Sequence, residues 1–390
     1  MPNKMKPVYL DNGATTKVAD EVVEAIKPFF TDFYGNASSL HDYGIAAKKA
    51  LENARQVIAC AINAKQEEII FTSGGTESNN TGLKIAAKLA KKQGKNHIIT
   101  SKIEHPSILN TCKALEKEGF KVSYISVNHE GIIDVRQLES SIRPTTAIVT
   151  IMHANNEIGT VQPIEEIGRI CKAKGVIFHT DAVQSFTKAS LDVKKFNVDM
   201  ASLSAHKIHG PKGIGALYAR TGIKLESYIH GGHQEKGRRA GTENIPYIAG
   251  FAKAVEISEK IDYKKMAALR DYMANRILNE IPHTRLNGSK DKRLQNNINI
   301  SFDYIEGESL LMKLNESGIA VSTGSACSSQ NLEPSHVLIA MGLTPVQAHG
   351  SIRFTLSSYT AKDEIDYTIN SLKEAVADLR RLSPLGEKNV

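Results

Sequence analysis

The sequence of 390 residues contains no tryptophan and few cysteines. Its four cysteines are Cys60, Cys112, Cys171 and Cys327. They form no Cys-x-x-Cys pair, which argues against a disulfide framework and against a zinc knuckle. Cys60 and Cys171 lie in helix-like apolar patterns, so we expect both to be small core residues. Cys327 lies instead among small polar residues with turn chemistry, which predicts an exposed and reactive thiol.

Long apolar stretches are also missing. No run approaches the roughly 20 residues that a membrane span needs, and the first residues, Met1 to Pro7, lack the apolar core of a signal peptide. We therefore expect a cytoplasmic protein with no membrane partner. The net charge of +7 comes from 49 basic and 42 acidic residues. These are mixed along the chain without a basic block, so we expect no nucleic-acid partner; an acidic protein or an anionic ligand would fit the charge.

Between residues 68 and 217, short β-rich apolar runs alternate with helical segments. This alternation predicts a mostly parallel sheet covered by helices. From residue 244 onward a long helical stretch is followed by strands and helices in an α+β pattern. With 41% hydrophobic residues, a chain of this length suits two domains. We predict a large domain over 14–258, and a small domain from 1–13 with 259–390 that carries the loop at about 322–333.

One lysine stands at the end of a predicted strand. The segment Ser204-Ala-His-Lys207 closes an apolar run and opens a glycine-rich stretch. A lysine amine becomes a nucleophile towards aldehydes where its surroundings disfavour the ammonium form. Asp181 likewise follows an apolar run, and such an aspartate suits a protonated pyridine nitrogen. Most lysines are solvated surface groups, but Lys207 beside Asp181 points to a pyridine cofactor.

A turn rich in glycine and hydroxyl groups, Ser73-Gly-Gly-Thr-Glu-Ser-Asn-Asn80, lies between a strand and a helical segment. The free N–H groups at the start of a helix bind phosphate. The alternative is a plain helix N-cap by Thr76. The turn does not match a Walker loop, so it does not identify a ligand by itself.

Other polar groups follow or interrupt strands. His105 could stack on a planar cofactor or move protons, or it could only start a helix ahead of the next proline. Asn156 is expected to contact a ligand. Arg353 lies inside a strand, where a guanidinium needs a carboxylate from a ligand or from the protein itself. The loop 231–244 carries glycines, two arginines and hydroxyls, and suits an anion or a neighbouring subunit's site; an ordinary charged loop is the alternative.

Taken together, these motifs resemble the pyridoxal-phosphate-dependent cysteine desulfurases of the NifS and IscS type, within the class-V aminotransferases. The likeness runs from about Tyr9 to Pro384. It rests on Tyr9-Leu-Asp-Asn-Gly-Ala-Thr-Thr16, Tyr34-Gly-Asn-Ala-Ser-Ser39, Thr72-Ser-Gly-Gly-Thr-Glu-Ser-Asn79, Glu104-His-Pro106, Asn155-Asn-Glu-Ile-Gly159, Asp181-Ala-Val-Gln184, Ser204-Ala-His-Lys207, Arg239-Ala-Gly-Thr242 and Ser325-Ala-Cys327. Gly13 departs from the family motif, which often has Asn, Ala or Ser at this position.

The resemblance implies an α/β protein with the aspartate-aminotransferase-like fold, which is fold type I of the pyridoxal-phosphate enzymes. A large domain with a mostly parallel seven-stranded sheet would be joined by a smaller α+β C-terminal domain. The resemblance also implies a homodimer, pyridoxal 5'-phosphate as cofactor, and the conversion of L-cysteine to L-alanine.

Roles carry over residue by residue. Lys207 would bind the cofactor as a Schiff base and carry protons, and Asp181 would hold the proton on the ring nitrogen. His105 would stack on the ring and assist proton transfer, while Gln184 would bond the phenolic oxygen.

The binding residues carry over in the same way. Asn156 would contact the cofactor and, with Arg353, the substrate carboxylate. The phosphate would be contacted by Gly75, Thr76, Ser204 and His206 of the same chain, and by Thr242 of the other subunit.

Cys327 would attack the substrate sulfur and store it as a persulfide. The resemblance implies transfer of this sulfur to an iron–sulfur scaffold protein of the IscU or NifU kind, or to another sulfur acceptor. The same cysteine could be a transient ligand of an iron–sulfur cluster shared with such a scaffold.

Two other functions stay open at this point. A related lyase acting on selenocysteine or cystine would tolerate the loss of Cys327. A binding protein that keeps only the fold would have no use for Lys207, Asp181, His105 and Cys327 together.

Overall fold

The computed structural model describes residues 7–324 and 333–383. Within them the chain forms thirteen strands and thirteen α-helices. The strands are β1 Val8–Tyr9, β2 Ile69–Thr72, β3 His97–Ser101, β4 Lys121–Ile125, β5 Thr146–Thr150, β6 Ile177–Asp181, β7 Met200–Ser204, β8 Gly215–Ala219, β9 Thr284–Leu286, β10 Asn297–Phe302, β11 Ile319–Ala320, β12 Ser322–Thr323 and β13 Ser351–Thr355.

The helices alternate with the first strands and then flank the later ones. They are α1 Asp20–Ile26, α2 Pro28–Thr31, α3 Asp42–Ala61, α4 Gly75–Lys91, α5 Pro106–Lys117, α6 Val135–Ser141, α7 Ile164–Lys174, α8 Ile245–Ser258, α9 Tyr263–Glu280, α10 Gly307–Glu316, α11 His336–Ala340, α12 Pro345–His349 and α13 Lys362–Leu382. A short 3₁₀ turn, Ala205–Lys207, follows β7 directly.

The central sheet has seven strands in the order β2-β8-β7-β6-β5-β3-β4. Strands β7, β6, β5, β3 and β4 run parallel to one another, whereas β8 is antiparallel to both of its neighbours. Every residue of β5 and β7 is buried, as expected for strands covered by helices on both faces. The prediction of a mostly parallel seven-stranded sheet is confirmed, and its parallel strands bring their carboxyl ends to one edge.

A second sheet lies in the C-terminal part of the chain. Its four strands are antiparallel, in the order β12-β13-β10-β9. The N-terminal β1 pairs with β11, and Val8 and Leu10 belong to the hydrophobic cluster that fills the space between this sheet and helices α9, α10 and α13. The domain boundaries given above, 14–258 against 1–13 with 259–390, stay a prediction.

The cysteines in the described residues fall into two environments. Cys171 is buried, as predicted. The expectation for Cys60 was wrong, because its thiol lies on the solvent side of α3, where the Gln56 side chain donates to Sγ at 3.0 Å. Among these residues no helix is both long and apolar enough to cross a membrane.

Candidate active site

A cavity of about 370 Å³ lies at the edge of the central sheet where the parallel strands end. Asp181 is the last residue of β6 and Ser204 is the last residue of β7. Most of the predicted site residues line this cavity: Gly75, Thr76, His105, Asn156, Asp181, Gln184, Ser204, His206, Lys207 and Arg353. Ligands in open α/β sheets bind at this kind of edge.

Lys207 is held by backbone carbonyls from the N-terminal segment. Its Nζ donates to Gly13 O at 2.6 Å and to Ala14 O at 2.7 Å. Gly13 is fixed in turn, because its N–H donates to Thr355 Oγ1 at 2.6 Å. A Cβ atom on Gly13 would lie 3.0 Å from Thr355 Cγ2 and 3.2 Å from Arg353 Cζ. The small residue at position 13 therefore permits the close approach that holds the lysine amine.

Asp181 presents a firmly placed carboxylate. Its side chain accepts from the Val183 N–H at 3.0 Å and from Asn79 Nδ2 at 2.7 Å. Asp181 is only 5% exposed. Such a carboxylate, fixed at the wall of a cavity, suits a cationic ring nitrogen.

His105 combines the two roles that the sequence left open. It is the N-cap of α5, where its Nδ1 accepts the Ser107 N–H at 3.1 Å, and it also lines the cavity. Burial lowers the pKa of His105, and the nearby Lys207 and His336 act in the same direction. The charge of Asp181 opposes this shift. A neutral imidazole therefore faces the cavity.

The N-terminus of α4 forms one end of the cavity. The helix begins at Gly75, with Gly74 as N-cap at a φ of 153°. The alternative of an N-cap by Thr76 was wrong, because Thr76 lies inside the first turn. A Cβ atom on Gly75 would lie 2.5 Å from Val183 Cγ2. Position 75 therefore needs glycine for its backbone to line the cavity.

The donors at this end fit a phosphate. The hydroxyl of Ser204 is buried and has no hydrogen-bond partner among the described residues. His206 contacts Thr15 Oγ1 at 3.2 Å, and burial lowers its pKa to about 4, with Lys207 contributing. A helix N-terminus, an unused hydroxyl and an imidazole provide the donors that a phosphate group needs. The residues present therefore fit the phosphate of pyridoxal phosphate.

Gln184 and Asn156 lie along the side of the cavity. Gln184 Nε2 donates to Gly13 O at 3.0 Å, so this side chain shares an acceptor with Lys207. Asn156 uses its backbone carbonyl to accept Arg353 NH1 at 2.9 Å.

Arg353 reaches the cavity from β13 and is 3% exposed. Its NH2 pairs with Asp11 Oδ1 at 2.9 Å, so the alternative of a buried ion pair within the protein is realised. The Nε atom is buried and has no hydrogen-bond partner among residues 7–324 and 333–383. The guanidinium thus has an intramolecular partner and still lines the cavity.

Among the described residues, one predicted contact does not line this cavity: Thr242, which was expected to reach the phosphate from the other subunit. Thr242 is exposed and lines a different cavity of about 300 Å³, together with Arg239. Arg239 pairs with Glu77 in the first turn of α4, at 3.0 Å between Nε and Oε1. Cys327 lies outside the described residues, as does its predicted role as a cluster ligand.

Sequence reasoning missed several polar residues of the site. Asn79, Ser107, Glu157 and His336 line the cavity, and Asp11 pairs with Arg353. Four of these five lie within the motif segments quoted above or beside them, so the signal was their proximity to strand ends. No local pattern shows which of them meet.

Two buried carboxyls flank the site. Burial raises the pKa of Glu104 to about 8, although its carboxyl accepts from Ser101 Oγ at 2.6 Å. Burial also raises the pKa of Glu157 to about 7, while the Ser335 hydroxyl and Arg353 oppose the shift. Near neutral pH both carboxyls hold protons to a large extent.

The chain belongs to the aminotransferase class-V family, whose profile matches residues 8–368. Among its relatives, the cysteine desulfurase of Trichormus azollae is 52% identical over 383 residues, which is 97% of this chain and 95% of that protein. The cysteine desulfurase IscS of Dictyoglomus turgidum is 49% identical and covers 97% of both chains.

Solved structures agree with this assignment. A NifS-like protein is 40% identical, with a TM-score of 0.90 over 96% of this chain and 100% of that one. A structure titled SspA in complex with cysteine is 41% identical, with a TM-score of 0.82 over 91% of this chain and 100% of that one. The predicted family and the predicted fold are both confirmed.

Proposed function

We propose that this protein is a pyridoxal-phosphate-dependent cysteine desulfurase, which converts L-cysteine to L-alanine and keeps the sulfur as a persulfide on Cys327. The observation that carries the proposal is the convergence of Lys207, Asp181 and His105 on one cavity that also contains Arg353. Relatives at about 50% identity bear the name cysteine desulfurase, over nearly the whole chain.

Pyridoxal phosphate, when bound, supplies an aldehyde for an amine and a ring that accepts electrons. Lys207 would provide the amine, because its Nζ is held at the cavity by two carbonyls. Asp181 would pair with the ring nitrogen and His105 would face the ring. The α4 N-terminus with Ser204 and His206 would hold the phosphate.

Arg353 and Asn156 would orient the substrate. A guanidinium binds a carboxylate through charge-assisted hydrogen bonds. The buried Nε of Arg353 has no acceptor among the described residues, so it can donate to a substrate carboxylate. Fixing the carboxylate fixes the Cα–H bond, so that Lys207 can move the proton at that carbon. The neutral His105 would hold or accept a proton near the substrate sulfur.

Cys327 would then act as the nucleophile. Its thiolate would attack the sulfur of the bound cysteine, so that an S–S bond forms while the Cβ–S bond breaks. The electron pair of the broken bond would stay with the carbon skeleton, which takes up protons and leaves as alanine. The sulfur remains as a persulfide and passes to a scaffold protein for iron–sulfur cluster assembly, or to another acceptor. A cytoplasmic location suits this chemistry, because a free thiol must stay reduced.

We also propose that the active unit is a homodimer. Large apolar side chains are exposed around α2 and the start of α3, with Tyr34 66% and Leu40 94% exposed. The rings of Tyr34 and Tyr43 lie 5.3 Å apart in the same patch. In such a homodimer, Thr242 of the partner subunit would be the residue that the family resemblance expects at the phosphate.

The test uses purified protein supplied with pyridoxal phosphate, L-cysteine and a reductant. We expect equal amounts of alanine and sulfide. Cys327→Ala should keep the visible absorbance of the bound cofactor and lose sulfide release, whereas Cys60→Ala, at an exposed cysteine, should keep both. Undiminished turnover in Cys327→Ala would contradict the persulfide step and favour the lyase acting on selenocysteine or cystine.

A further inference from the structure

A continuous set of hydrogen bonds joins Asp181 to His105 through two residues that the proposed chemistry does not use. Asn79 Nδ2 donates to Asp181 Oδ2 at 2.7 Å and to Ser107 Oγ at 2.8 Å. Ser107 Oγ lies 2.8 Å from His105 Nδ1. Asn79 is 1% exposed and Ser107 is 9% exposed, so these bonds are shielded from water.

The direction of these bonds follows from the carboxylate. A carboxylate oxygen only accepts hydrogen bonds, so the NH₂ group of Asn79 is turned towards Asp181 Oδ2. The second hydrogen of that NH₂ group then points at the hydroxyl oxygen of Ser107. Because this oxygen accepts from Asn79, its single proton is available for His105 Nδ1.

The backbone acts on the same nitrogen. The N–H of Ser107 also donates to His105 Nδ1, at 3.1 Å. A nitrogen that accepts two hydrogen bonds carries no proton, so the proton of a neutral His105 must lie on Nε2. A proton on Nδ1 would oppose the N–H of Ser107, which can only donate.

We propose that Asn79 and Ser107 are positioning residues that transmit the charge of Asp181 to His105 and hold its ring as the neutral form with the proton on Nε2. This proposal rests on the proposed function, because it assumes that the His105 ring takes part in proton transfer. It deepens that function by fixing which nitrogen of the ring is available to the cavity.

Other charged groups face His105 and must be separated from this effect. Lys207 and His336 lower the pKa of His105 by charge, whereas Asp181 raises it, and burial is the largest cause of the net lowering. Loss of the Ser107 hydroxyl changes none of these charges. Its effect on His105 therefore reports the hydrogen bond alone.

The first experiment titrates His105 in the full chain without cofactor. The rate at which diethyl pyrocarbonate modifies His105 is measured against pH, with the modified peptide identified by mass. Ser107→Ala removes one donor to Nδ1, so the pKa should rise by about half to one unit. Ser107→Thr keeps a hydroxyl and should restore the wild-type value.

A double-variant cycle tests the role of Asn79. In Asn79→Asp the new carboxyl lies against Asp181 and shares a proton with it. Its other oxygen can accept the proton of Ser107, which turns the hydroxyl away from His105 and raises the pKa of His105. If the hydroxyl transmits part of this effect, the shift is larger with serine than with alanine at position 107. Equal shifts in both backgrounds would mean a charge effect only and would overturn the proposal.

The loaded protein provides a second readout. The pH at which the visible absorbance of bound pyridoxal phosphate changes should move in Ser107→Ala and in Asn79→Asp, but not in the exposed helix variant Asn275→Asp. If the wild type gives no visible band, the proposed function fails, and the titration of His105 still decides the proposal. An unmoved pKa of His105 in Ser107→Ala would contradict it directly.

Discussion

The two sides of the cavity are built in different ways. One side, the sheet-edge wall, consists of Asp181, Ser204 and Lys207 with the helix starts at Gly75 and His105, and each of these residues ends or follows a strand of the central sheet. The other side, the cross-chain wall, consists of Arg353 and Glu157 with their partners Asp11 and Ser335. These residues come from distant segments of the chain.

In the cross-chain wall, residues that contact each other lie far apart in the sequence. Arg353 pairs with Asp11 across 342 positions, and the Ser335 hydroxyl donates to Glu157 Oε2 at 2.5 Å across 178 positions. Each residue of the sheet-edge wall belongs to a local strand–turn–helix unit, although Lys207 Nζ also reaches Gly13 O across 194 positions. The cross-chain wall depends on docking of the second sheet, which brings Arg353 of β13 against Asp11.

The largest expected effect is on the sheet-edge wall. Lys207→Ala removes the amine that would bind the cofactor and move the substrate proton. Turnover should fall by about 10³-fold or more, and the visible absorbance of the bound cofactor should be lost. Lys212→Ala changes an exposed lysine of the same glycine-rich segment and should retain both properties. A Lys207→Ala variant with wild-type absorbance would contradict the assignment.

The cross-chain wall should control substrate binding instead. Arg353→Ala removes about 2–3 kcal/mol of charge-assisted hydrogen bonding, which corresponds to a rise of about 30- to 150-fold in KM for L-cysteine. The cofactor absorbance should persist, because Arg353 is not among the residues proposed to hold the cofactor. The control is Arg285→Ala, an exposed arginine of β9, with unchanged KM. Loss of cofactor with unchanged KM would reverse the roles of the two walls.

Stability should depend on pH through Glu104, which lies behind the sheet-edge wall. Its pKa is about 8 in the folded chain against 4.5 as the ordinary value. Unfolding releases this proton between those values, so the stability from the neutral carboxyl is complete below pH 4.5 and is lost as the pH rises towards 8.

Glu104→Gln removes this titration. The melting temperature of the variant minus that of the wild type should therefore increase from pH 5 to pH 8 by about 2–4 °C. In Glu116→Gln, at an exposed position of α5, the same difference should stay flat. A difference that does not change with pH in Glu104→Gln would show that Glu104 is ionised throughout.

The smallest effect is expected at Glu157 in the cross-chain wall. Its pKa is about 7, because Ser335 and Arg353 partly stabilise the charge that burial disfavours. Glu157→Gln should show the same trend in melting temperature as Glu104→Gln, with a smaller rise that ends near pH 7. If the melting-temperature difference rose more in Glu157→Gln than in Glu104→Gln, the surroundings of Glu157 would be less polar than those of Glu104.

The two walls also differ in how far the sequence could predict them. Lys207 and Asp181 were predicted to serve one cofactor, because each follows an apolar run and ligands bind beyond the carboxyl ends of such strands. The role of Ser204 came from the family resemblance. Arg353 was predicted to need a carboxylate, but its partner Asp11 could not be identified from the spacing. Asn79 and Ser107 were missed since short buried polar side chains carry no periodic pattern.

The central claim is that Lys207 binds pyridoxal phosphate covalently, and Lys188 is the rival amine. Burial lowers the pKa of Lys188 to about 7, with Lys207 contributing, and its Nζ donates to Gln184 O at 2.9 Å. The most direct measurement is borohydride reduction of the loaded protein, followed by peptide mass analysis. We predict the reduced cofactor on Lys207 in the wild type and in Lys188→Ala; a label on Lys188, or on scattered surface lysines, would contradict the account.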